Sequence, residues 1–403
     1  MTASGAPSPR FFLSATGMGL AFSNTAVAVP LLVLALRGDA ALVGSLLATG
    51  TVSVAFGALV GGIASRRVGG ARALAVALGL ASAGSALLAL ARSVTELGVA
   101  AAVGGLGVGV FWVSSQLLLG RRSGKPGSEK GFLFHYASYT FGAVLGSSMT
   151  GAVTALGSHA GLAHDLAIRA SAIVAGGTLV VALVLWWPHA ARAATEALPR
   201  RRISIAPARH LSIQISDLML VSALGCLLPL TPVVLARGYH LGPLVVGLVV
   251  AAVSIAKIAG TVVARVLSRA NGQRATIFLL LGAAAVFSSL LTLAPSAPVF
   301  VGALLATALA GTGAWPLVVD SAQARVQPDR RHGLTVLWNT REYVVIAAAT
   351  ACSGWLLSIF GSPTPLFLLA ALLIAGAAAC STAVWRRPVW TPDEPTSAVS
   401  TSG

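Results

Sequence analysis

The sequence predicts an all-α membrane protein with twelve transmembrane helices in two six-helix bundles, and three observations support this class. The 403-residue chain is 56% hydrophobic and only 9% charged, whereas a soluble domain carries about 25% charged residues. Its apolar residues fall into twelve runs of roughly 20 residues, the length that crosses a hydrocarbon core of about 30 Å. A basic linker separates the first six runs from the last six.

The twelve runs are predicted to be helices because a backbone in lipid must satisfy its own hydrogen bonds, and the alternating pattern of barrel strands is absent. In order, they span approximately residues 11–36, 40–64, 73–92, 96–119, 132–157, 166–187, 212–236, 242–266, 275–294, 298–319, 334–360 and 364–385. The predicted domains are therefore a bundle at 11–187, a linker at 188–211 and a bundle at 212–385, with tails at 1–10 and 386–403.

The lysines and arginines predict the orientation, because cytoplasmic loops of membrane proteins carry an excess of both residues. With both termini in the cytoplasm, 21 of these bases fall in cytoplasmic segments, and only Arg37, Arg92 and Arg237 fall in outer loops. This distribution accounts for the formal net charge of +16 without a nucleic-acid partner. The chain is thus expected in the cytoplasmic membrane, with both tails and the linker inside.

The two halves carry matching residues, which indicates an internal duplication. The pair Arg37-Gly38 recurs 200 residues later as Arg237-Gly238. Two parallel six-helix repeats joined by a cytoplasmic linker are the plan of a transporter whose site lies between the halves. At an offset of 204 residues, four positions of the first half (Gly107, Gly109, Gln116 and Arg121) correspond to Gly311, Gly313, Asp320 and Arg325.

Two segments have the spacing of known transporter motifs. The loop after helix 2, residues 62–72, is similar to the pattern G-x-L-A-D-R-x-G-R-R, with Arg66 in the place of the aspartate. Residues 142–151 in helix 5 are similar to the antiporter signature G-x-x-x-G-P-x-x-G-G, with Ser147 for the proline and Thr150 for one glycine. In these motifs and over its whole length the chain resembles the major facilitator superfamily. The resemblance implies a two-bundle transporter, and the second motif implies an efflux antiporter of the cell inner membrane.

Three charged residues deep in predicted helices are the main candidates for substrate and proton coupling: Lys257, Arg341 and Glu342. A charge at a helix centre costs about 2.5 to 3.5 kcal/mol on insertion scales, so it is retained with a partner or a function. At 1.5 Å per residue, all three lie about 12 Å from the inner helix ends. Asn339 shares a helix face with Glu342. One base is expected to pair with Glu342 and the other to bind an anionic group, unless the charges only fix helix packing.

Other polar and aromatic residues in the helices are secondary candidates. His135 and Tyr139 in helix 5 present a further site for proton coupling, because histidine titrates near neutral pH. The alternative for His135 is a position at the water interface with a hydrogen bond to a loop. The resemblance implies that helices 1, 4, 7 and 10 line the cavity, which nominates Asn24, Trp112, Gln116 and Trp315. For the tryptophans, packing or interface anchoring is the alternative.

A third group consists of charged residues near the inner helix ends, which are expected to form gate ion pairs between the bundles. Helix-end capping is the alternative explanation for the two acids of this group. Its members are Arg66, Arg67, Arg121, Asp217, Asp320 and Arg325.

The predicted function is secondary active transport of a small organic solute by alternating access. Proton-coupled efflux is preferred, and proton-coupled uptake or facilitated transport is the alternative. The chain has no Walker motif, so ATP is not expected as the energy source. A membrane enzyme is least favoured, because no paired acids or histidines suit a metal, and no cofactor is expected. Lys257 and Arg341 suit an anionic or zwitterionic solute. The expected partners are this solute, protons and the lipid bilayer, and the chain is expected to be a monomer.

The orientation can be tested by cysteine labelling in intact cells, after removal of the native Cys226, Cys352 and Cys380. An impermeant thiol reagent is expected to miss Arg200→Cys in the linker and to label Arg92→Cys in an outer loop. Strong labelling at position 200 would show that the linker faces outward and would contradict the predicted orientation.

Overall fold

The computed structural model describes residues 9–36, 38–120, 128–192, 211–323 and 331–385. Within these ranges, the side chains of residues 120, 128–133, 211–213, 320–323, 331–335 and 382–385 are outside the description. The described chain contains helices, short connections and no strand, as the sequence predicts.

Twelve long helices follow one another along the chain, and we number them α1 to α12. The first bundle contains α1 (Pro9–Ala35), α2 (Ala40–Arg67), α3 (Gly70–Leu90), α4 (Val94–Gly120), α5 (Ser128–His159) and α6 (His164–Arg192). The second contains α7 (Leu211–Leu227), α8 (Pro243–Asn271), α9 (Gln273–Leu291), α10 (Ala297–Gln323), α11 (Arg331–Phe360) and α12 (Thr364–Trp385). Among the residues that the structure describes, eleven spans are long and apolar enough to cross a membrane.

Helix α5 is the one long helix outside these eleven spans, because it is rich in polar residues that turn inward. Its buried polar side chains include His135, Ser147, Thr150 and Thr154.

The linker also differs from its expected bounds. Helix α6 continues through Pro188 to Arg192, so the predicted linker start at residue 188 was too early.

The seventh span is broken, because Pro229 and Pro232 lack the amide donors that a continuous helix needs. After Leu227 the chain resumes with one helical turn, Thr231–Val233, and a π-helical turn, Val234–Gly238. Together these pieces form the span Gln214–Gly238.

The packing of the second half repeats that of the first. In the first half, α1 packs on α5 and α6, α4 packs on α2 and α3, and α3 packs on α6. In the second half, α7 packs on α11 and α12, α10 packs on α8 and α9, and α9 packs on α12. Every pair recurs with six added to each helix number, as an internal duplication requires.

Glycines permit close approach of the helices within each bundle, because small residues let backbones touch. A Cβ at Gly142 of α5 would overlap the backbone oxygen of Thr16 in α1. In the second bundle, a Cβ at Gly260 of α8 would overlap the backbone of Leu309 in α10.

The two bundles meet mainly through α2 against α11 and α5 against α8. We call the end that holds the α1–α2 connection the outer end, following the predicted orientation. There, backbones touch at Gly44 with Gly354 and at Gly151 with Gly247. Two hydrogen bonds also join the bundles at the outer end. Arg237 Nη2 donates to the Gly38 carbonyl at 2.6 Å, and Ser358 Oγ donates to Asp39 Oδ2 at 3.2 Å.

The tight glycine contacts predict that Gly142→Ala destabilises the first bundle, because overpacking costs about 1 to 3 kcal/mol. A lower melting temperature in detergent is the expected result. Gly282→Ala in α9 is the matched control, since a Cβ there meets no atom within 4 Å. Alanine also favours a helix by up to about 1 kcal/mol over glycine, so the control is expected to be neutral or stabilising. Equal melting temperatures for the two variants would contradict the packing argument.

Candidate functional site

A polar cluster lies inside the second bundle, where α7 and α11 pack together, and its centre is an ion pair. Arg341 Nη2 of α11 lies 2.8 Å from Asp217 Oδ2 of α7, and Arg341 Nη1 donates to Gln214 Oε1 at 3.2 Å. The Asp217 side chain is 0% exposed, whereas that of Arg341 is 28% exposed. The guanidinium carbon also lies 4.4 Å from the ring centroid of Trp338, a cation–π arrangement.

The second acid of the cluster, Glu342, is held by two indoles. Its Oε1 accepts hydrogen bonds from Trp338 Nε1 at 2.6 Å and from Trp315 Nε1 of α10 at 2.9 Å. Glu342 is only 5% exposed, and a buried carboxylate needs such donors to offset its lost hydration. Trp338 reaches it because residues four apart share a helix face.

These contacts correct two expectations. One base was expected to pair with Glu342, but Arg341 pairs with Asp217, and no ion pair of Glu342 occurs among the described residues. Asp217 was expected at an inner gate near water. It lies fully buried about one and a half turns into α7, so that placement was wrong.

Lys257 lies on α8, outside the cluster that holds Glu342 at the contact of α7 and α11. Helix α8 packs mainly on α5 and α10, and its residues Leu248, Ile255 and Val262 are exposed on one face. Lys257 follows Ile255 by two residues, which is about 200° around the helix, so its stem starts toward the protein interior. No ion pair or side-chain hydrogen bond of Lys257 occurs among the described residues. The expected three-membered cluster with Lys257 therefore does not form in this part of the chain.

His135 is fully buried at the contact of α1, α4 and α5. Its Nε2 lies 3.1 Å from Ser115 Oγ of α4, and its ring lies 5.2 Å from Phe11 and 5.5 Å from both Phe111 and Trp112. Because Ser115 Oγ already donates to the Trp112 carbonyl at 3.0 Å, Nε2 of the imidazole must carry the donated hydrogen. The alternative of a water-interface histidine bound to a loop was wrong, since His135 is 0% exposed.

Aromatic side chains form the wall of the first bundle that faces the cluster. Tyr139 lies 4.7 Å from Trp112 between ring centroids, and Phe22 lies 6.2 Å from Tyr139. Tyr343 belongs to α11 but packs on the apolar core of the first bundle, so this wall crosses the interface.

Asn24 was expected to line the cavity, and this expectation was wrong. It is 1% exposed and donates from Nδ2 to Thr150 Oγ1 at 2.6 Å and to Ser171 Oγ at 2.8 Å. It thus ties α1 to α5 and α6 inside the first bundle. Thr150 replaces a glycine of the antiporter signature, and its hydroxyl forms part of this tie.

A hydrogen bond between the bundles brings the charged cluster to their interface. Asn339 Nδ2 of α11 donates to Gln116 Oε1 of α4 at 3.4 Å. Asn339 precedes Glu342 by three residues and shares its side of the helix. Gln116 is therefore one contact of the first bundle with the face of α11 that carries Glu342.

The proposed gate residues fall largely outside the description. Arg66 is half-buried and Arg67 is exposed at the end of α2. Arg121 and Arg325 lie outside the described residues, as does the side chain of Asp320. The gate remains a prediction. Among the residues that the structure describes, no group of three or more His, Cys, Asp or Glu residues is placed to hold a metal.

Sequence reasoning missed three contributors to the cluster, Gln214, Trp338 and Tyr343, and it misjudged the depth of Asp217. One signal was available. Trp338 and Glu342 are four residues apart, the spacing of side chains that meet on a helix. The partnership of Asp217 with Arg341 has no sequence signal, because it depends on how α7 and α11 pack.

Comparisons with known proteins agree with this architecture. A family model described as Major Facilitator Superfamily matches residues 11–224 and 215–400. No curated protein matches the chain. The fold is similar to a bacterial homologue of the human lysosomal transporter Spinster, inward-facing and occupied, with a TM-score of 0.76 and 15% identity over 96% of this chain and 100% of that one.

Two further solved structures are similar. The nucleoside transporter NupG has a TM-score of 0.66 and 12% identity over 94% of this chain and 99% of that one. The xylose transporter XylE from E. coli, partially occluded and inward-open, has a TM-score of 0.66 and 16% identity over 95% and 99%. At these identities the likeness shows the fold alone. With the family model matching almost the whole chain and the same helix arrangement in these structures, the prediction is confirmed: the chain belongs to the major facilitator superfamily of membrane transporters.

Proposed function

We infer that this transporter moves a small organic solute across the cytoplasmic membrane in exchange for protons, by alternating access of a site between its bundles. The observation that carries the proposal is the buried cluster of Asp217, Arg341 and Glu342. Ionisable residues inside a membrane are costly and mark ion or substrate pathways by default. This cluster holds two acids beside the bundle interface, where a proton can be exchanged with the solute path.

The proposed solute is anionic or zwitterionic. Lys257 supports this proposal because its side chain starts toward the interior and makes no ion pair or side-chain hydrogen bond among the described residues. An ammonium in such a place gains a partner when an anionic group binds. The aromatic wall of Trp112, Tyr139 and Tyr343 offers apolar contact to the rest of the solute.

Outward transport is proposed on the resemblance of residues 142–151 to the antiporter signature. In the structure, Gly142 and Gly146 pack on α1, and Gly151 packs on α8, so the motif acts through helix packing. Proton-coupled uptake and facilitated transport are the alternatives, since the similar structures are named as carriers of nucleosides and xylose. We further propose that the chain is a monomer with both termini in the cytoplasm and no enzymatic activity.

Proton coupling is tested in proteoliposomes by Glu342→Gln, which removes an ionisable group while keeping the shape of the side chain. Transport driven by a pH gradient is expected to fall at least about tenfold, whereas exchange of labelled for unlabelled solute at equal pH continues. Asp165→Asn is the matched control, because this acid lies at the outer end of α6 in an ion pair with Arg169. Gradient-driven transport at the wild-type rate in Glu342→Gln would remove Glu342 from the coupling.

The charge of the solute is tested with a panel of carboxylates, amino acids, nucleosides and sugars. For the carboxylate solutes, Lys257→Gln is expected to raise KM at least about tenfold, because loss of one charge-assisted contact costs about 1.5 to 3 kcal/mol. Lys257→Arg keeps the charge and is expected to retain most of the affinity. Unchanged KM values in Lys257→Gln would contradict the proposed anion contact.

A further inference from the structure

One oxygen of the buried Asp217 carboxyl lacks a donor. Its Oδ2 is bound by Arg341, whereas Oδ1 is inaccessible and has no hydrogen-bond partner among the described residues. Leaving a buried acceptor unpaired costs about 1 to 3 kcal/mol, and more for a charged group. Some group that can supply a hydrogen is therefore expected beside Oδ1.

Glu342 is the neighbour that can supply this hydrogen. It shares its surroundings with Asp217, because Trp338 donates to Glu342 Oε1 and the Arg341 guanidinium that binds Asp217 lies over the ring of the same Trp338. The indoles of Trp315 and Trp338 both donate to Oε1, which fixes the carboxyl and leaves Oε2 without a described donor. An ionised Glu342 cannot donate to Asp217, but a protonated one can.

The charge balance of the cluster also favours a protonated Glu342. Helix α7 contributes Gln214 and Asp217, and α11 contributes Arg341, Glu342 and Tyr343. Helix α10 adds the neutral Trp315, with the Asp320 side chain outside the description. The described site thus has two acids against one base. One added proton makes it neutral, which a low-dielectric interior strongly favours.

We propose that Asp217 and Glu342 form an acid pair that binds one proton between them, with Arg341 compensating the remaining negative charge. This proposal rests on the proposed proton coupling and changes the role of Asp217 from gate residue to half of the proton site. The proton is carried on Glu342 Oε2 and donated to Asp217 Oδ1. Its release to water leaves two anions beside Arg341, whose partly exposed side chain is then drawn toward both.

The paired indoles report on this proton. Loss of the proton strengthens the bonds from Trp315 and Trp338 to Glu342, because a bond to a charged acceptor is about twice as strong as a neutral one. A pH titration of tryptophan fluorescence in the detergent-solubilised full chain is therefore expected to show one step. The step should disappear in Glu342→Gln and in the double variant Trp315→Phe/Trp338→Phe.

The discriminating variant is Asp217→Asn. It removes the second acid, so the midpoint of the fluorescence step is expected to move to lower pH by at least about one unit, and gradient-driven transport is expected to fall at least about tenfold. Asp165→Asn should leave both unchanged. A wild-type midpoint and wild-type transport in Asp217→Asn would overturn the acid pair while leaving Glu342 as a lone coupling residue.

A second measurement uses only the wild type and Glu342→Gln, and it covers the case in which Asp217→Asn fails to fold. Infrared difference spectra are expected to show one carboxylic-acid C=O band that is absent in Glu342→Gln and displaced toward the wavenumber of a hydrogen-bonded acid. A band at the position of a free acid would overturn the pair. If the wild type shows the band and the step but no gradient-driven transport, the proton site stands and the proposed coupling fails.

Discussion

The ion pair between Asp217 and Arg341 is the interaction on which the second bundle depends, because a charge in lipid must be balanced by the protein itself. Breaking a buried pair by removing one partner costs about 3 to 5 kcal/mol, so α7 and α11 are fixed in register at this point. That register places Trp338 under the guanidinium and turns Glu342 toward α10, where Trp315 reaches it. The rest of the cluster follows from one contact.

The two bundles share a packing scheme and differ in chemistry. The first is braced by neutral hydrogen bonds, among them the buried ones from Asn24 to Thr150 and Ser171. The second holds the charges. Since the helix pairs correspond one to one, this difference comes from side chains alone. Under the proposed function, a solute between the bundles would meet the aromatic side chains around Trp112 and Tyr139 and the charged cluster of the second bundle, which suits a molecule with one apolar and one charged end.

The fold could be predicted from the sequence because it follows from the length of the apolar segments and from the cost of backbone groups that lack hydrogen bonds in lipid. The polar face of α5 lowered its hydropathy, yet the run was still recognisable between two loops. The site could be predicted from the sequence only in part. Lys257, Arg341 and Glu342 were found as charges in apolar runs, but their partners depend on rotations of about 100° per residue and on helix packing. Asn24 was misplaced for the same reason, since its face points into the bundle and not toward the interface.

The outer contact between Arg237 and Gly38 has an acceptor of a particular kind, a main-chain carbonyl. A carbonyl carries no net charge, does not titrate and is present whatever residue occupies the position. Drift of the α1–α2 connection over evolution can therefore change its side chains without removing this link, and acidification of the medium leaves it intact. This link does not depend on the protonation of its acceptor, and under the proposed function the response to protons is left to groups in the interior.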